Sequence, residues 1–345
     1  MTTFNDVTGL AKGSFGIGTY AKQGSGMFPG LVLPDGGVID LSNQFYDTHA
    51  IFNNWNENFD RLVDIAERQE TIRESFSELT CHPCLAHPNM LFAGSNYRQH
   101  VAEMMTHNKF NQDRRKPGES DEDFFQRNLE EVDRRAREGT PFFWTGLHSS
   151  LVGSNDEIQL PLIGEHPDWE MELGVIVGGS ERYVTPDEAE SLIAGYVAVN
   201  DLGTVDEARR SDVRFEFDWV SKHQPTFKVF GPFIVPKQFV EFSELRIELK
   251  LNGTVMQDWP VTDMIFNPQQ FLSYASERIR LMPGDLLSTG SPPGNGASHG
   301  NRWLQPGDVI ESQINYLGRQ RNVIVAEETH GRECFYGPLP KAFAS

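Results

Sequence analysis

Short apolar runs separated by glycine and proline turns fill the second half of this chain. Six of them have strand length, at 171–177, 195–202, 227–235, 245–251, 286–289 and 309–314. Apolar runs this short, between turn residues, are typical of buried β-strands. The Asn252-Gly253 pair between two alternating runs predicts a tight hairpin. We therefore expect an α+β, β-rich fold.

The N-terminal part of the chain has a different pattern. Short strands with turns are predicted over residues 1–50, and apolar residues at helical spacing predict a helix over 58–79. Prolines at 83 and 88 then mark a boundary. These patterns predict a smaller N-terminal β/α domain over 1–85 and a β-rich main domain over 86–340.

An unusual segment follows within the main domain. Residues 107–139 mix both charges densely and contain few apolar residues. Such a composition indicates a loop followed by a surface helix. We predict a lid or insertion at about 104–140, because long loops inside compact domains are usually functional.

Charge and cysteine content exclude several classes of partner. The 345 residues include 30 basic and 49 acidic side chains, for a formal net charge of −19. So acidic a chain is not expected to bind nucleic acid or an anionic membrane surface.

No targeting pattern and no apolar stretch of about 20 residues occurs. Three cysteines cannot form a disulfide framework, which favours a cytoplasmic protein.

Two of these cysteines, Cys81 and Cys84, form a C-x-x-C pair. A zinc ribbon requires a second such pair, which Cys334 alone does not supply. We interpret them as ordinary thiols, with redox or metal use as the alternative.

Three acidic residues suggest chemistry at strand ends. Glu170 and Glu172 lead into the apolar run 171–177, and side-chain alternation puts them on one face. Asp201 ends another apolar run. Because neighbouring buried carboxylates repel each other, one would be protonated unless a cation lies between them. Oxygen ligands alone suit Mg²⁺, Mn²⁺ or Ca²⁺. The alternative is a solvated sheet face without an ion.

A histidine and a glutamate form a second candidate pair. His100 and Glu103 are three residues apart, which places them on one face of a helix. There the carboxylate could orient the imidazole as a general base acting on water. The alternative is an ordinary surface pair.

A turn rich in glycine and proline is the third candidate. It follows the run at 286–289 and contains Thr289, Gly290 and Ser291. Its backbone N–H groups could bind a carboxylate. The alternative is a simple loop.

In this order, the motifs resemble the fumarylacetoacetate hydrolase family over roughly residues 90–335. The matching stretches are GSNYRQHVAEM, DWEMELGVIVG, YVAVNDL, Lys222 nine residues before Gly231-Pro232, NGTVMQDW with TDMIF, and PGDLLSTGSPPG. The resemblance implies a mixed β-sheet roll, usually dimeric, that binds Mg²⁺ or a similar ion. Substrates in this family are 2-oxo or β-diketo acids and their enols.

The resemblance also implies roles for ten residues. Glu170, Glu172 and Asp201 match the metal ligands, and Lys222 matches a lysine that steadies substrate oxygens. His100 and Glu103 match a dyad that activates water. Substrate contacts are implied for Tyr97, Thr289, Gly290 and Ser291.

Two departures concern the substrate. Val205 and Ala208 stand where the family often has an arginine and a glutamine that bind substrate. Arg209 or Arg210 could compensate. With the elaborated insertion, these changes predict a larger or less anionic substrate than a diacid.

We therefore expect a Mg²⁺- or Mn²⁺-dependent hydrolase, with Ca²⁺ as a further option. It would cleave a C–C bond in an acylpyruvate-like or β-diketo catabolite, such as one from aromatic breakdown. An alternative is a decarboxylase, isomerase or hydratase of a 2-oxo acid on the same scaffold. A third is a non-catalytic ligand-binding homologue. The expected partners are a small-molecule acid and a second copy of the chain.

Overall fold

The computed structural model describes residues 7–68, 73–107, 109–214 and 217–340. Residues 1–6, to which the prediction of a missing targeting signal refers, lie outside the described residues. Residue 108, within the predicted insertion, also lies outside them. Among the described helices, none is long and apolar enough to cross a membrane.

The N-terminal part is a five-stranded sheet with two helices. Its strands run in the order β4-β3-β2-β1-β5. They are β1 (Gly16–Ala21), β2 (Met27–Val32), β3 (Gly37–Asp40), β4 (Glu74–Ser75) and β5 (Thr80–His82). The helices are α1 (Thr48–Phe52) and α2 (Trp55–Glu67).

The helix predicted over 58–79 extends too far. α2 ends at Glu67, residues 69–72 of the predicted span lie outside the described residues, and β4 begins at Glu74. From Glu74 on, the backbone is bound by the sheet: β4 pairs with β3, and Phe76 N–H donates to the carbonyl of Gly36. Tertiary pairing therefore overrides the helical spacing of the apolar residues.

The described residues of the main part of the chain form fifteen strands and four helices. The strands are β6 (Met90–Ala93), β7 (Phe143–Gly146), β8 (Leu151–Val152), β9 (Ile158–Leu160), β10 (Pro167–Asp168), β11 (Met171–Val177), β12 (Ile193–Asp201), β13 (Gly203–Thr204), β14 (Lys228–Phe230), β15 (Val235–Pro236), β16 (Arg246–Leu251), β17 (Thr254–Pro260), β18 (Leu286–Ser288), β19 (Val309–Ile314) and β20 (Arg319–Ala326). The helices are α3 (Arg98–His107), α4 (Asp121–Glu138), α5 (Pro186–Ala189) and α6 (Pro268–Arg278).

An eight-stranded mixed sheet forms the centre of the molecule. Its order is β7-β6-β18-β11-β12-β14-β8, and β15 also pairs with β12. The β6–β18 and β14–β8 pairs are parallel, whereas β11 and β12 are antiparallel. A second sheet has the order β17-β16-β19-β20-β9, and its β16–β17 hairpin turns at Asn252 and Gly253, both with positive φ. The α+β, β-rich fold and the hairpin are confirmed.

The central sheet separates two hydrophobic cores. Side chains alternate along β11, so Leu173 and Val175 enter one core and Ile176 enters the other. The first core also contains residues of the second sheet, such as Ile247. The other core includes Phe52 and Trp55 of the N-terminal helices. Both faces of β11 are thus buried, which explains its continuous apolar sequence.

The insertion packs onto the main domain through α3 and α4. Arg98 on α3 donates two hydrogen bonds to Asp133 on α4, at 2.5 and 2.8 Å. Asn128 of α4 donates to the Thr106 hydroxyl of α3 at 3.0 Å. Phe124 is fully buried, although the sequence indicates a surface helix. One face of α4 is therefore held against its neighbours.

The two cysteines of the C-x-x-C pair are both buried and free. Burial raises the pKa of Cys81 to about 11 and raises that of Cys84 as well. Both side chains are therefore protonated near neutral pH, which fits unreactive thiols.

Candidate metal centre

The three predicted ligands meet at one edge of the central sheet. Glu172 is the second residue of β11, and Asp201 is the last residue of the antiparallel β12. Glu170 directly precedes β11, and its carbonyl accepts a hydrogen bond from the Asp201 N–H at 2.8 Å. One carboxylate oxygen from each residue lies within 4.8 Å of the other two.

Burial makes this arrangement electrostatically demanding. Glu172 and Asp201 are each only 2% exposed, and 26% of the Glu170 side chain is exposed. The pKa of Glu172 is raised well above its usual range, first by burial and then by the charges of Asp201 and Glu170. Burial also raises the pKa of Glu170. A cation among the three oxygens would relieve this repulsion, and an all-oxygen donor set fits a hard divalent ion.

The Lys222 ammonium stands in for such a cation. Lys222 is the last residue of a short 3₁₀ helix, Trp219–Lys222. Its Nζ lies 2.6 Å from Glu170 Oε2 and 3.2 Å from Asp201 Oδ2. It also donates to the Asp201 carbonyl at 2.8 Å. Burial would lower the pKa of Lys222, but the nearby carboxylates outweigh it and the pKa is raised. Lys222 therefore supplies a permanent positive charge.

His100 and Glu103 both lie on α3, but their side chains have different partners. His100 is half-buried, and its pKa is lowered to about 4, first by burial and then by the Lys222 charge. Glu103 accepts a hydrogen bond from Gln99 Nε2 at 2.8 Å. Within the described residues, no hydrogen bond joins His100 to Glu103. The His100 imidazole is thus neutral near pH 7 and close enough to Lys222 to feel its charge. Glu103, its predicted partner, is bonded to Gln99 instead.

The predicted substrate-contact residues are all buried. The Thr289 hydroxyl donates to the Leu173 carbonyl at 2.9 Å, and the Gly290 N–H donates to Glu172 Oε2 at 3.0 Å. Ser291 accepts from Gln257 Nε2 at 3.0 Å. The Tyr97 hydroxyl is buried beside Thr289. The turn therefore supports Glu172, one of the predicted metal ligands.

Two buried amides that sequence reasoning missed hold these segments together. Asn96 donates to the carbonyls of Thr289 and Phe266, at 2.9 and 3.0 Å. Gln257 accepts from the Met171 N–H at 3.0 Å and donates to the Pro292 carbonyl at 3.0 Å. Both residues lie inside motifs that carry the family resemblance. This location was the one feature of the sequence that could have marked them as part of the site. Buried amides with several bonds fix the backbone around them.

The positions that depart from the family motif present apolar surface. Val205 is 48% exposed at the start of a 3₁₀ helix. Arg210, a possible substitute for the missing arginine, is bound to Asp212 and Asp218 in close ion pairs. The guanidinium of Arg209 lies over the Phe217 ring, 4.9 Å from its centre.

A mixed sheet with three clustered carboxylates and a lysine at one edge is an arrangement that fits a divalent cation. The family model for the C-terminal domain of fumarylacetoacetate hydrolase matches residues 89–325. This chain belongs to the fumarylacetoacetate hydrolase family.

Individual relatives have several activities. The chain is 40% identical over 198 residues to 2,4-didehydro-3-deoxy-L-rhamnonate hydrolase of Sphingomonas sp. (strain SKA58), covering 56% of this chain and 68% of that protein. It is 30% identical over 188 residues to human mitochondrial oxaloacetate tautomerase FAHD2A, covering 54% and 59%. The crystal structure of maleylpyruvate hydrolase from Sphingobium sp. SYK-6, in complex with manganese(II) and pyruvate, has a TM-score of 0.67 at 18% identity. It covers 91% of this chain and 100% of that chain, and it supports the fold.

Proposed function

We propose that this chain is a divalent-metal-dependent hydrolase of 2,4-diketo acids, cleaving the C–C bond of an acylpyruvate-like substrate. The observation that carries the proposal is the group of three carboxylate oxygens within 4.8 Å, in contact with Lys222, whose charge also lowers the pKa of His100. The name 2,4-didehydro-3-deoxy-L-rhamnonate describes an acid with carbonyl groups at C2 and C4, which supports this substrate class.

Glu170, Glu172 and Asp201 would hold the ion. When bound, Mg²⁺ or Mn²⁺ supplies Lewis-acid stabilisation of negative charge that develops on the 2-oxo acid. Lys222 adds a fixed ammonium on the same side, which lowers the energy of that charge further.

His100 is the proposed base. Because its pKa is lowered to about 4, the imidazole is neutral near pH 7 and can take a proton from water. The water oxygen then attacks the distal carbonyl carbon. The bond from that carbon to the methylene carbon breaks, and its electron pair remains on the methylene side as an enolate. The proton returns from His100 to this carbon, giving one carboxylic acid and one 2-oxo acid.

A second candidate is tautomerisation of a 2-oxo acid, and one contact favours it. Glu103 accepts a hydrogen bond from Gln99, and within the part of the chain that the structure describes His100 has no carboxylate as a hydrogen-bond partner. Tautomerisation moves a proton without needing an attacking water, and the human relative is named as an oxaloacetate tautomerase.

Product mass distinguishes the two reactions. The Mg²⁺-loaded protein is incubated with a series of acylpyruvates and with oxaloacetate, and the products are measured by mass spectrometry. Hydrolysis gives two fragments whose masses sum to substrate plus water. Tautomerisation leaves the mass unchanged and is followed instead by the change in the ultraviolet absorbance of the enol. If neither reaction occurs while the acid still binds, the ligand-binding alternative replaces both.

A further inference from the structure

Lys228 is a buried cation next to the metal ligands. It lies in β14, and its side chain is 0% exposed. Its Nζ lies 2.6 Å from Asp201 Oδ1 and donates to the carbonyls of Leu202, at 3.2 Å, and Lys222. A fourth oxygen, the Phe227 carbonyl, lies 3.5 Å away, so oxygens are available for all three N–H donors of the ammonium group. The Lys228 ammonium is therefore held in place by protein oxygens, away from bulk water.

This contact leaves Asp201 one oxygen for an ion. Oδ1 faces Lys228, whereas Oδ2 faces Lys222 among the three carboxylates. Glu172 is held in the same way, because its Oε2 accepts hydrogen bonds from the Ser288 hydroxyl and the Gly290 N–H. One oxygen of each carboxylate is thus held by Lys228 or by Ser288 and Gly290. The second oxygen of Asp201 lies 3.2 Å from the Lys222 ammonium, so an ion would share that oxygen with Lys222.

We propose that Lys228, together with Ser288, forces Asp201 and Glu172 to bind an ion through one oxygen each, and so makes the site select Mg²⁺ or Mn²⁺ over Ca²⁺. Mg²⁺ requires six ligands in nearly ideal octahedral geometry, whereas Ca²⁺ takes six to eight and often uses bidentate carboxylates. Three single oxygens leave the remaining positions of an octahedron open for substrate and water. Lys228 is a positioning residue in this role, since it acts through Asp201. The inference rests on the proposed metal function and extends it to the identity of the ion.

Charge balance points the same way. When a bound ion keeps all three carboxylates ionised, the two ammonium groups, Lys222 and Lys228, leave them a single net negative charge. Ion affinity rises with the number of uncompensated ligand charges. A site with this balance is expected to bind a divalent ion weakly alone, and more tightly when an anionic chelating substrate adds its own oxygens.

The test is the ratio of Mg²⁺ to Ca²⁺ affinity, measured by calorimetric titration of the metal-free protein. Lys228→Met keeps an unbranched side chain and removes the ammonium. Ser288→Ala removes one of the two donors to Glu172. Lys237→Met is the matched control, because Lys237 pairs with Glu190 at the surface at 3.0 Å.

The wild type is expected to bind Mg²⁺ more tightly than Ca²⁺. Lys228→Met should shift the ratio toward Ca²⁺ by roughly tenfold or more, as is typical for loss of a group that orients a ligand. Ser288→Ala should shift it in the same direction by less, because the Gly290 N–H remains. Lys237→Met should leave the ratio unchanged.

Two results would overturn the inference. One is a wild-type protein that binds Ca²⁺ as tightly as Mg²⁺, which decides the matter even if Lys228→Met does not fold. The other is a pair of folded variants, checked by circular dichroism, that keep the wild-type ratio. Failure of the metal function itself looks different, because the wild type would then bind neither ion.

Discussion

At the scale of single residues, the candidate centre depends on burying opposite charges together. Asp201 is in contact with two lysines, and Glu172 accepts two hydrogen bonds from the turn after β18. Such a group is stable only while its partners remain, because an uncompensated buried charge is strongly unfavourable. The same arrangement holds the carboxylates ready for an ion.

His100 gives the first prediction. Its imidazole has a pKa of about 4, so the active neutral form persists to about pH 5 and is lost as the pH falls further. Hydrolysis should therefore show an acid limb well below the ordinary histidine range. His100→Gln should lower kcat/KM for hydrolysis by about 10²–10⁴ and remove that limb.

The matched control is His107→Gln, which changes an exposed histidine in the last turn of the same helix. If His100→Gln keeps a kcat/KM for hydrolysis within a factor of about two of the wild-type value, His100 is excluded as the base. If His100→Gln loses hydrolysis but keeps tautomerisation, His100 serves hydrolysis, whereas tautomerisation depends on the predicted metal ligands.

Sequence reasoning predicted the carboxylates but not the residues that hold them. Glu170, Glu172 and Asp201 stand out because acidic residues flank apolar strands. Lys228 is a single lysine in an apolar run, and its partner Asp201 becomes visible only when β12 pairs with β14. The pairing of Glu103 with Gln99 is likewise a choice among neighbours on one helix face, which spacing does not decide.

At the scale of elements, α3 and α4 bring the insertion to the site. His100 is on α3, and α4 is attached to α3 by the Arg98–Asp133 pair, with both side chains about 40% exposed. The position of His100 therefore depends on contacts outside the central sheet.

The second prediction tests this attachment. Asp133→Ala should raise KM for substrate several-fold and increase hydrogen exchange in α4, with Mg²⁺ affinity unchanged. The cost in stability should stay below about 1 kcal/mol, because the pair is half exposed. The bond to Arg98 lowers the pKa of Asp133, so its contribution exists above the usual aspartate pKa and disappears as the pH falls.

Glu138→Gln serves as the control, because it removes an exposed pair with Arg134 within α4 itself. Unchanged KM and unchanged exchange in Asp133→Ala would show that the insertion does not position the site.

The strands were more predictable than the helix at 58–79. The runs at 171–177 and 309–314 coincide with β11 and β19. β11 is buried on both faces and so has a continuous apolar sequence, whereas burial alternates along β19 and gives alternating apolar residues; both patterns are easy to recognise. The predicted helix is wrong from Glu74 on, because β3 offers free backbone groups to β4, and such long-range pairing has no local signal.

At the scale of the whole molecule, the predicted metal ligands lie on the sheet that both cores share. β11 sends alternate side chains into the two cores, and Glu172 begins the same strand. Ion binding there should stabilise the complete fold and not one loop. The domain boundary near residue 85, a cytoplasmic location and a homodimer stay predictions.

Thermal unfolding supplies the third prediction. Mg²⁺ at a hundredfold excess over its Kd should stabilise the native state by about 2.7 kcal/mol and raise the unfolding temperature. Sodium chloride at equal ionic strength should not. A Mg²⁺-independent transition in a protein that binds Mg²⁺ would mean that the ion binds a locally unfolding segment.

The most direct test is calorimetric titration of the metal-free protein with Mg²⁺ and Mn²⁺, with and without oxalate, which mimics the enolate of a 2-oxo acid. Glu172→Gln is the matched control, since it keeps the shape of the side chain and removes one ligand charge. We expect wild-type binding that tightens when oxalate is present, and no binding by Glu172→Gln at the same concentrations. Absence of binding by the wild type under both conditions would contradict a metal centre at Glu170, Glu172 and Asp201.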